Sequence, residues 1–409
     1  MGTVMKPTDN FTAIARGVRI HSGQAALNAL PAELDRLSAK NAFVICGRSV
    51  ADKTTLLARI RSLLGTRFAG CYSNMTKDAP LGRVSEAAEQ AKACRADMLI
   101  AIGAGSVIKA TRIVAILHAE AAPVSELVTQ YRDNAPARSP RLQAAKLPIV
   151  NVLTAGTSAQ NRAGSALKNT EGLPRLEFFD PKTRPAAIFW DSEALASAPT
   201  SLAISTGVAV YWRALMSMGA VRAANPLVQG DRRQAFLLAD VALDSLADPD
   251  NTHARIQICA AALLQNRDED DGGRPFDLHW IARVVYALAA ATFNLVERAD
   301  QGSTNVILTG PVLKHFGHLC PDAVEEMAAA MGLSENGGKR PEQQADAVAQ
   351  ALDRRLTPLG LPGRLRDLGV LKEQLAKIVT LSLFNFNADR QRQFSQHQDA
   401  LHAVLHDAW

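Results

Sequence analysis

The chain has 409 residues, 47% hydrophobic and 21% charged, a composition that excludes disordered and fibrous proteins. Its net charge of +5 comes from Lys and Arg spread along the chain without a basic run, so a nucleic-acid partner is not expected. No apolar run is long enough to span a membrane, the first residues lack the apolar core of a signal peptide, and the five cysteines lack metal-binding spacing, which together predict a cytoplasmic protein that contacts no membrane.

Strand-like and helix-like segments alternate in the first part of the chain. The predicted strands cover residues 41–47, 67–73 and 97–103, and the predicted helices cover residues 54–68 and 83–96. Strands that alternate with helices form βαβ units, in which the strands lie parallel. The sequence therefore predicts an α/β region built on a parallel sheet.

The strand that ends at residue 103 continues into a loop of small residues and then into an amphipathic helix, over residues 101–116. Gly103, Ala104 and Gly105 allow a ligand to approach the backbone closely, and Ser106 follows them at the start of the helix. The N–H groups of a first helical turn, aligned with the helix dipole, can hold a pyrophosphate. The loop predicts a nucleotide cofactor; the alternative is a glycine-rich turn that only joins a strand to a helix.

Residues 124–146 are polar and contain prolines, which predicts an extended or partly helical excursion from the sheet. Strand-like segments return at 147–153 and 185–191, and from about residue 195 almost every segment has apolar residues at helical spacing. We therefore expect two domains, an α/β nucleotide-binding domain over residues 1–194 and an all-α helical bundle that binds substrate over residues 195–409.

Five motifs, taken in order, resemble the iron-containing alcohol dehydrogenase superfamily, and within it the maleylacetate reductase branch. They lie at residues 14–34, 96–116, 153–160, 178–210 and 359–370. The resemblance implies the fold shared by these enzymes and dehydroquinate synthase, with the active site in the cleft between the α/β and helical domains. It also implies a homodimer, because members of the superfamily are commonly dimeric or larger.

The resemblance assigns the first predicted strand to the adenine ribose of NAD or NADP. In the family an acidic residue commonly ends this strand in enzymes that prefer NAD, whereas Gly47, Arg48 and Ser49 stand here. Without a carboxylate to repel a 2′-phosphate, NADP is at least as suitable as NAD. The alternative is that Gly47 closes a turn and Arg48 is solvated.

The resemblance also assigns cofactor contacts to the two later loops. Gly103, Gly105 and Ser106 would hold the pyrophosphate, and Thr154 and Thr157 would contact phosphate or nicotinamide. The family's usual Asp and Lys beyond the glycine loop are replaced here by the cations at positions 109 and 112. These two side chains either strengthen phosphate binding or form a solvated helix face.

The metal-dependent members bind iron or zinc through an Asp, a His four residues later, and two further His residues. The matching positions in this chain hold Ala209, Arg213, Arg283 and Gln301. Ala and Arg cannot coordinate a divalent cation, and Gln does so poorly. The resemblance therefore implies a site that does not bind the metal of the family.

Fixed positive charge can replace a metal as the group that polarises a carbonyl. We expect Arg213 and Arg283 to present guanidinium groups in the cleft, where they would also bind a substrate carboxylate. At helical spacing, His279, Arg283 and Tyr286 share a face, so His279 or Tyr286 is a candidate proton donor. The alternative is that both are packed side chains of a mostly apolar helix.

These residues favour a metal-independent NAD(P)H-dependent reductase that acts on a carbonyl or conjugated double bond of a small substrate. A carboxylate on that substrate agrees with the resemblance to maleylacetate reductases. Two other hypotheses stay open at this point: a lyase or cyclase that retains the nucleotide without net redox chemistry, and a catalytically dead homologue.

Overall fold

The computed structural model describes residues 11–14, 17–132, 135–169, 175–266, 278–333 and 341–409. A six-stranded parallel sheet with helices occupies the first part of the chain, and the second part is largely helical. The predicted fold, an α/β region followed by a helical one, is therefore confirmed. The last strand of the sheet ends at Asp191, close to the predicted domain boundary.

The sheet has the order β1-β8-β5-β4-β2-β3, and all its pairings are parallel. Its strands are β1 (Arg19–Gly23), β2 (Ala42–Cys46), β3 (Phe68–Tyr72), β4 (Met98–Gly103), β5 (Ile149–Leu153) and β8 (Ala187–Asp191). Strands β2, β4, β5 and β8 are buried along their whole length, which explains their continuous apolar sequences. A separate antiparallel hairpin is formed by β6 (Gly164–Lys168) and β7 (Arg175–Phe179).

Alternate residues of the central strands feed two hydrophobic cores, one on each face of the sheet. Phe43 and Leu99 belong to one core, and Val44 and Ile100 belong to the other. This alternation follows from the two-residue period of a strand. The helices of this region are α1 (Leu30–Arg36), α2 (Arg48–Lys53), α3 (Leu56–Leu64), α4 (Leu81–Ala93), α5 (Gly105–Ala119), α6 (Val124–Leu127) and α7 (Ser192–Ala196).

The helical region packs around one further hydrophobic core, in which Trp212 is fully buried. Its helices are α8 (Thr200–Met218), α9 (Pro226–Leu243), α10 (Thr252–Leu264), α11 (Trp280–Leu295), α12 (Gln301–Phe316), α13 (Pro321–Ala330), α14 (Pro341–Leu356), α15 (Leu375–Ser382) and α16 (Gln398–Ala408). Among the helices that the structure describes, none has the length and apolar character needed to cross a membrane.

Some elements were not anticipated from sequence patterns. Strand β1 is partly exposed and has a mixed polar sequence, and helix α2 has only six residues, so neither shows a clear pattern; the hairpin β6-β7 interrupts the parallel βαβ order. The polar stretch 124–146 was expected to be extended or partly helical. Its described residues form helix α6 and an isolated bridge between Gln130 and Arg138, and the others lie outside helices and strands. Its residues 133–134 lie outside the described part of the chain.

Candidate active site

A cavity of about 510 Å³ lies between the carboxyl ends of the parallel strands and the helical region. In open α/β sheets this edge is where ligands bind, because the loops that follow neighbouring strands meet there. The sheet side of the cavity is formed by the loops after β2, β4 and β5. The helical side is formed by Ser205 of α8, by Tyr286 and Asn294 of α11 and by Gln301 of α12.

The glycine loop after β4 lines this cavity, as the sequence predicted. Helix α5 begins at Gly105, and no side-chain hydrogen bond caps it at Ala104. A Cβ added to Gly103 would lie 2.8 Å from Cγ2 of Val107, and one added to Gly105 would lie 3.1 Å from the Thr157 hydroxyl. The loop therefore needs glycine for its own packing, and it leaves first-turn N–H groups available to a phosphate.

Ser106, Thr154 and Thr157 also line the cavity beside this loop. The Ser106 hydroxyl accepts a hydrogen bond of 3.2 Å from the backbone of Asp78. The backbone N–H of Thr154 donates to the carbonyl of Gly103 at 3.2 Å, which joins the two loops. All the residues predicted at the pyrophosphate therefore meet at one place.

The predicted ribose contacts divide into two groups. Gly47 and Ser49 line the cavity, and a Cβ on Gly47 would lie 3.0 Å from the carbonyl oxygen of Met75. Arg48 is not among the lining residues, and its Nε donates to Oδ1 of Asn74 at 2.7 Å on the surface. Since no carboxylate stands at the end of β2, this geometry fits either dinucleotide.

Two of the positions that the resemblance matches to metal ligands, Ala209 and Gln301, lie on helices α8 and α12, which pack against each other. A Cβ on Gly302 would lie 3.3 Å from the backbone nitrogen of Ala209, so the helices meet closely beside Gln301. Among the described residues, no group of three or more His, Cys, Asp or Glu side chains is placed to hold a metal ion. An Ala and a Gln at these positions do not fit the family's metal.

Arg213 does not reach the cavity, which corrects the prediction that it faces the cleft. Its side chain is 2% exposed and donates to Oδ1 of Asn266 at 2.6 Å and to the carbonyl oxygen of Gln265 at 2.7 Å. Those residues follow helix α10, whose C-terminal carbonyls attract a cation. In this structure Arg213 therefore holds two helices together.

Arg283 is also absent from the cavity lining. The prediction that its guanidinium group lies in the cleft is therefore wrong. Its Nε donates to the carbonyl oxygen of Ala388 at 2.7 Å, and its Nη2 donates to Oδ1 of Asp389 at 3.0 Å. The guanidinium also lies 4.8 Å from the ring centroid of Trp280. Arg283 thus ties helix α11 to the segment before the last helix.

His279 caps helix α11 instead of facing the cavity. Its Nδ1 accepts a weak hydrogen bond from the backbone of Ala282 at 3.4 Å. The ring proton is therefore on Nε2, which donates to the carbonyl oxygen of Met216 at 2.9 Å. Burial lowers the pKa of His279 to about 4, the Met216 carbonyl opposes this, and the charge of Arg232 lowers it further. A buried neutral histidine of this kind has no access to a substrate.

Tyr286 lines the cavity, so it is the one catalytic candidate from the sequence that reaches the site. It lies on α11 two turns beyond the cap, and its hydroxyl accepts a hydrogen bond from Arg175 of strand β7. The hydrogen bond from the guanidinium holds the phenol oxygen in the cavity wall. A hydroxyl can also donate its own proton, so Tyr286 is a candidate donor to a ligand in the cavity.

Besides Lys77, four cations line the same cavity and form what we term the basic cluster: Lys109, Arg112, Arg162 and Arg175. Helix α5 carries the first two, the loop before β6 carries the third, and β7 carries the fourth. The sequence drew attention to the first two as departures from the family. It gave no signal for Arg162 or Arg175, because only the hairpin brings them to α5.

Lys77 connects the two regions at the edge of the cavity. Its Nζ donates to the carbonyl oxygen of Ala299 at 2.8 Å and also to that of Glu297. Asp300 follows, accepts from the Ser205 hydroxyl at 2.6 Å and caps helix α12 through the backbone of Ser303 at 3.0 Å. These contacts fix the cleft between the sheet and the helices.

Comparison with known proteins agrees with this architecture. Residues 17–192 match the model of the iron-containing alcohol dehydrogenase family. Maleylacetate reductase 2 of Cupriavidus pinatubonensis is 24% identical over 342 residues, which cover 81% of this chain and 80% of that protein. Lactaldehyde reductase of Escherichia coli is 23% identical over 400 residues, which cover 95% and 97%.

Solved structures share the fold over nearly the whole chain. A 1,3-propanediol oxidoreductase superposes with a TM-score of 0.81 at 19% identity and covers 98% of this chain and 100% of its own. NADH-dependent butanol dehydrogenase A of Thermotoga maritima gives 0.82 at 17% identity and covers 99% of both chains. At this level of identity the likeness establishes the fold.

Proposed function

We propose that this chain, whose fold is that of the iron-containing alcohol dehydrogenase family, is an NAD(P)H-dependent reductase that works without the metal of that family. Its substrate is a small molecule with a carbonyl or a conjugated double bond. One observation carries the proposal: an intact phosphate loop opens onto a cavity lined by Gln301, at a position that the resemblance matches to a metal ligand. The two curated relatives given above, both named reductases, support the redox class.

The residues around the glycine loop fit a dinucleotide. First-turn N–H groups of α5 would bind the pyrophosphate, and Gly47 and Ser49 would lie beside the adenosine end. Thr154 and Thr157, which line the cavity beside this loop, would contact phosphate or nicotinamide. When bound, the reduced nicotinamide supplies the hydride.

Tyr286 is the proposed proton donor for the same reaction. Reduction of a ketone leaves negative charge on oxygen, which a positioned acid must neutralise. The Arg175 guanidinium donates a hydrogen bond to the tyrosine oxygen and would hold the hydroxyl in position for the transfer of its proton. The positive charge of the basic cluster takes the place of the Lewis acid in polarising the substrate.

The proposal is tested by replacing this one hydroxyl. Purified protein is assayed for NADH and NADPH oxidation against a panel of small keto acids and conjugated acids, including maleylacetate. We expect Tyr286→Phe to lower kcat roughly 10²- to 10⁴-fold, the usual range for loss of a general acid. Nicotinamide fluorescence should show the same affinity for the cofactor in both proteins, because Tyr286 belongs to the helical side of the cavity and the phosphate loop belongs to the sheet side.

Two results would contradict the proposal. One is that the wild-type protein binds neither NADH nor NADPH, which removes the redox function. The other is that Tyr286→Phe keeps the full kcat, which removes the tyrosine from the proton transfer.

A further inference from the structure

Two cysteines lie side by side near the carboxyl ends of neighbouring strands. Cys46 is the last residue of β2, and Cys71 lies on β3, the edge strand beside it. Their Sγ atoms are 4.0 Å apart, within reach of a hydrogen bond between the two thiols. The fold therefore brings together two thiols that are far apart in sequence.

Both side chains belong to the same face of the sheet. Cys46 is part of the core that contains Val44, and Cys71 packs against that core. Cys94 packs against the core on the opposite face, so the sheet separates it from the pair. Cys46 is fully buried, whereas Cys71 is half-buried at the sheet edge. A small reagent from the solvent therefore meets Cys71 first.

The register of the two strands places the cysteines diagonally. Val44 is the partner of Cys71, and Cys46 lies two residues further along β2. A disulfide holds its sulfur atoms about 2 Å apart, so the thiols have to approach by about half of the present distance. Because diagonal neighbours lie farther apart than opposed residues, such a bond would draw the end of β2 towards β3.

The two thiols are chemically unequal. The hydrogen bond from Cys46 lowers the pKa of the Cys71 thiol, although burial opposes this. The same hydrogen bond raises the pKa of Cys46, and burial and the charges of Cys71 and Asp52 raise it further. Cys71 is thus the sulfur that more readily becomes a thiolate, the form that attacks an oxidant.

The end of β2 leads directly into the proposed cofactor site. Gly47 follows Cys46 and lines the cavity. The carbonyl oxygen of Cys46 accepts a hydrogen bond of 3.2 Å from the backbone of Met75, which also lines the cavity. Gly47 has little free space, since an added Cβ would lie 3.0 Å from the carbonyl oxygen of Met75. A displacement of Cys46 would therefore move the loop that begins at Gly47.

From this arrangement we infer that Cys46 and Cys71 form an oxidation site, which reacts with a hydroperoxide and closes to a disulfide that weakens cofactor binding. The formation of the disulfide is independent of the proposed function. Only the effect on the cofactor rests on it, because the displaced loop is the one assigned to the adenosine end.

The chemistry takes two steps. The Cys71 thiolate attacks one oxygen of the hydroperoxide, the O–O bond breaks, and an alcohol leaves once its oxygen has taken up a proton, so that Cys71 becomes a sulfenic acid. The sulfur of Cys46 then attacks the sulfur of Cys71, the S–S bond forms, and the hydroxyl leaves as water with the proton of Cys46. The two thiols are oxidised by two electrons, and the hydroperoxide is reduced to an alcohol and water.

The disulfide is tested by treating the full chain with hydrogen peroxide after the reductant has been removed. Remaining thiols are blocked, and tryptic peptides are analysed by mass spectrometry without reduction. Cleavage after Lys and Arg places Cys46 in peptide 41–48 and Cys71 in peptide 68–77. We expect a disulfide between these two peptides. Cys46→Ser should instead leave a sulfenic acid on Cys71, which dimedone traps.

The effect on the cofactor is measured by nicotinamide fluorescence with NADH. We expect oxidation to weaken NADH binding by about tenfold and reduction with dithiothreitol to restore it. Cys71→Ser and Cys71→Ala cannot form the bond, so peroxide should leave their NADH affinity unchanged. Cys94→Ser is the matched control, because Cys94 lies on the opposite face of the sheet, and it should respond to peroxide like the wild type.

The inference is overturned if peroxide gives no link between the two peptides, or if Cys71 is linked to another cysteine instead. It is also overturned if the disulfide forms without a change in NADH affinity, or if Cys71→Ala loses the same affinity under peroxide. If the reduced wild type binds neither NADH nor NADPH, the proposed function fails and the effect on the cofactor fails with it. The peptide analysis still decides whether the disulfide forms.

Discussion

His279 uses both ring nitrogens to hold the start of helix α11, between the backbones of Met216 and Ala282. This requires the neutral ring, and burial lowers the pKa of the folded state to about 4 against an ordinary value of 6.5. Between these two pH values the unfolded chain takes up a proton at His279 and the folded chain does not. The stability that His279 contributes is therefore present above pH 6.5 and is lost as the pH falls towards 4.

We predict that His279→Asn, which keeps a capping side chain but cannot titrate in this range, flattens the acid dependence of stability. The difference amounts to about 3 kcal/mol between pH 6.5 and pH 4, from the size of the pKa shift. Urea unfolding across this range measures it. His253→Asn, at an exposed position, is the control and should behave like the wild type; an equally steep profile in both variants would contradict this account of His279.

The side chains of Arg213 and Arg283 do not have the roles in the cleft that the sequence predicted for them. Arg213 and Arg283 occupy positions matched to metal ligands, but long side chains can turn towards helix ends or carboxylates several ångströms away. The glycine loop was predictable because its chemistry is carried by the backbone, whose course follows from the strand and the helix. Arg162 and Arg175 were not predictable as residues of the site, because only the tertiary packing brings them to the cavity.

Helix α11 is joined to the C-terminal segment by a buried ion pair. The pair is formed by Arg283 and Asp389, whose side chains are 11% and 1% exposed. Asp389 also accepts from the backbones of Gln393 and Phe394, both at 2.9 Å. The carboxylate therefore organises the turn before α16, and the arginine compensates its buried charge.

We predict that Arg283→Met lowers the free energy of unfolding by about 3 kcal/mol, because it leaves the Asp389 carboxylate buried without its cation. Adding Asp389→Asn should recover part of the loss, since the amide oxygen can still accept from the backbone. Chemical denaturation of the two single variants and the double variant measures the coupling. Additive losses, or a fall in kcat with unchanged stability, would count against a purely structural Arg283.

A second prediction at this scale concerns the start of helix α5. Gly105→Val would place a branched side chain against the Thr157 hydroxyl and fill the phosphate cradle, so NADH affinity should fall by about a hundredfold or more. Gly82→Val is the control, because a Cβ at Gly82 meets no atom within 4 Å. Nicotinamide fluorescence and circular dichroism compare both folded variants; equal cofactor affinity in the two would exclude the loop as the phosphate site.

Elements with a continuous apolar run or a long helical period were predictable, and the hairpin β6-β7 was not. Strands β2, β4 and β5 are apolar and fully buried, and helices α4 and α11 have apolar periods that span several turns. The hairpin has two short strands of mixed sequence, and its strand β6 packs on α5. Arg175 lies on this hairpin and Arg162 lies in the loop before it, which is why these two cations escaped prediction.

The whole molecule combines a parallel α/β sheet with a largely helical region. Ala209 and Gln301, which the resemblance matches to metal ligands, lie on helices α8 and α12, and fixed cations lie along α5 and near the hairpin. In the proposed function, these cations supply the charge that a metal would otherwise supply. The expected homodimer, in which the edge strand β1 would contribute contacts, stays a prediction that light scattering can test against the chain mass of 43.8 kDa.

The most direct test of the central claim measures metal content and cofactor binding on the same sample. The protein is purified, its iron and zinc are quantified by mass spectrometry, and it is titrated with NADH and NADPH before and after treatment with a chelator. The account predicts no stoichiometric metal and one bound nicotinamide cofactor per chain, with an affinity that chelation does not change. One equivalent of iron or zinc per chain, or cofactor binding that disappears on chelation, would contradict it.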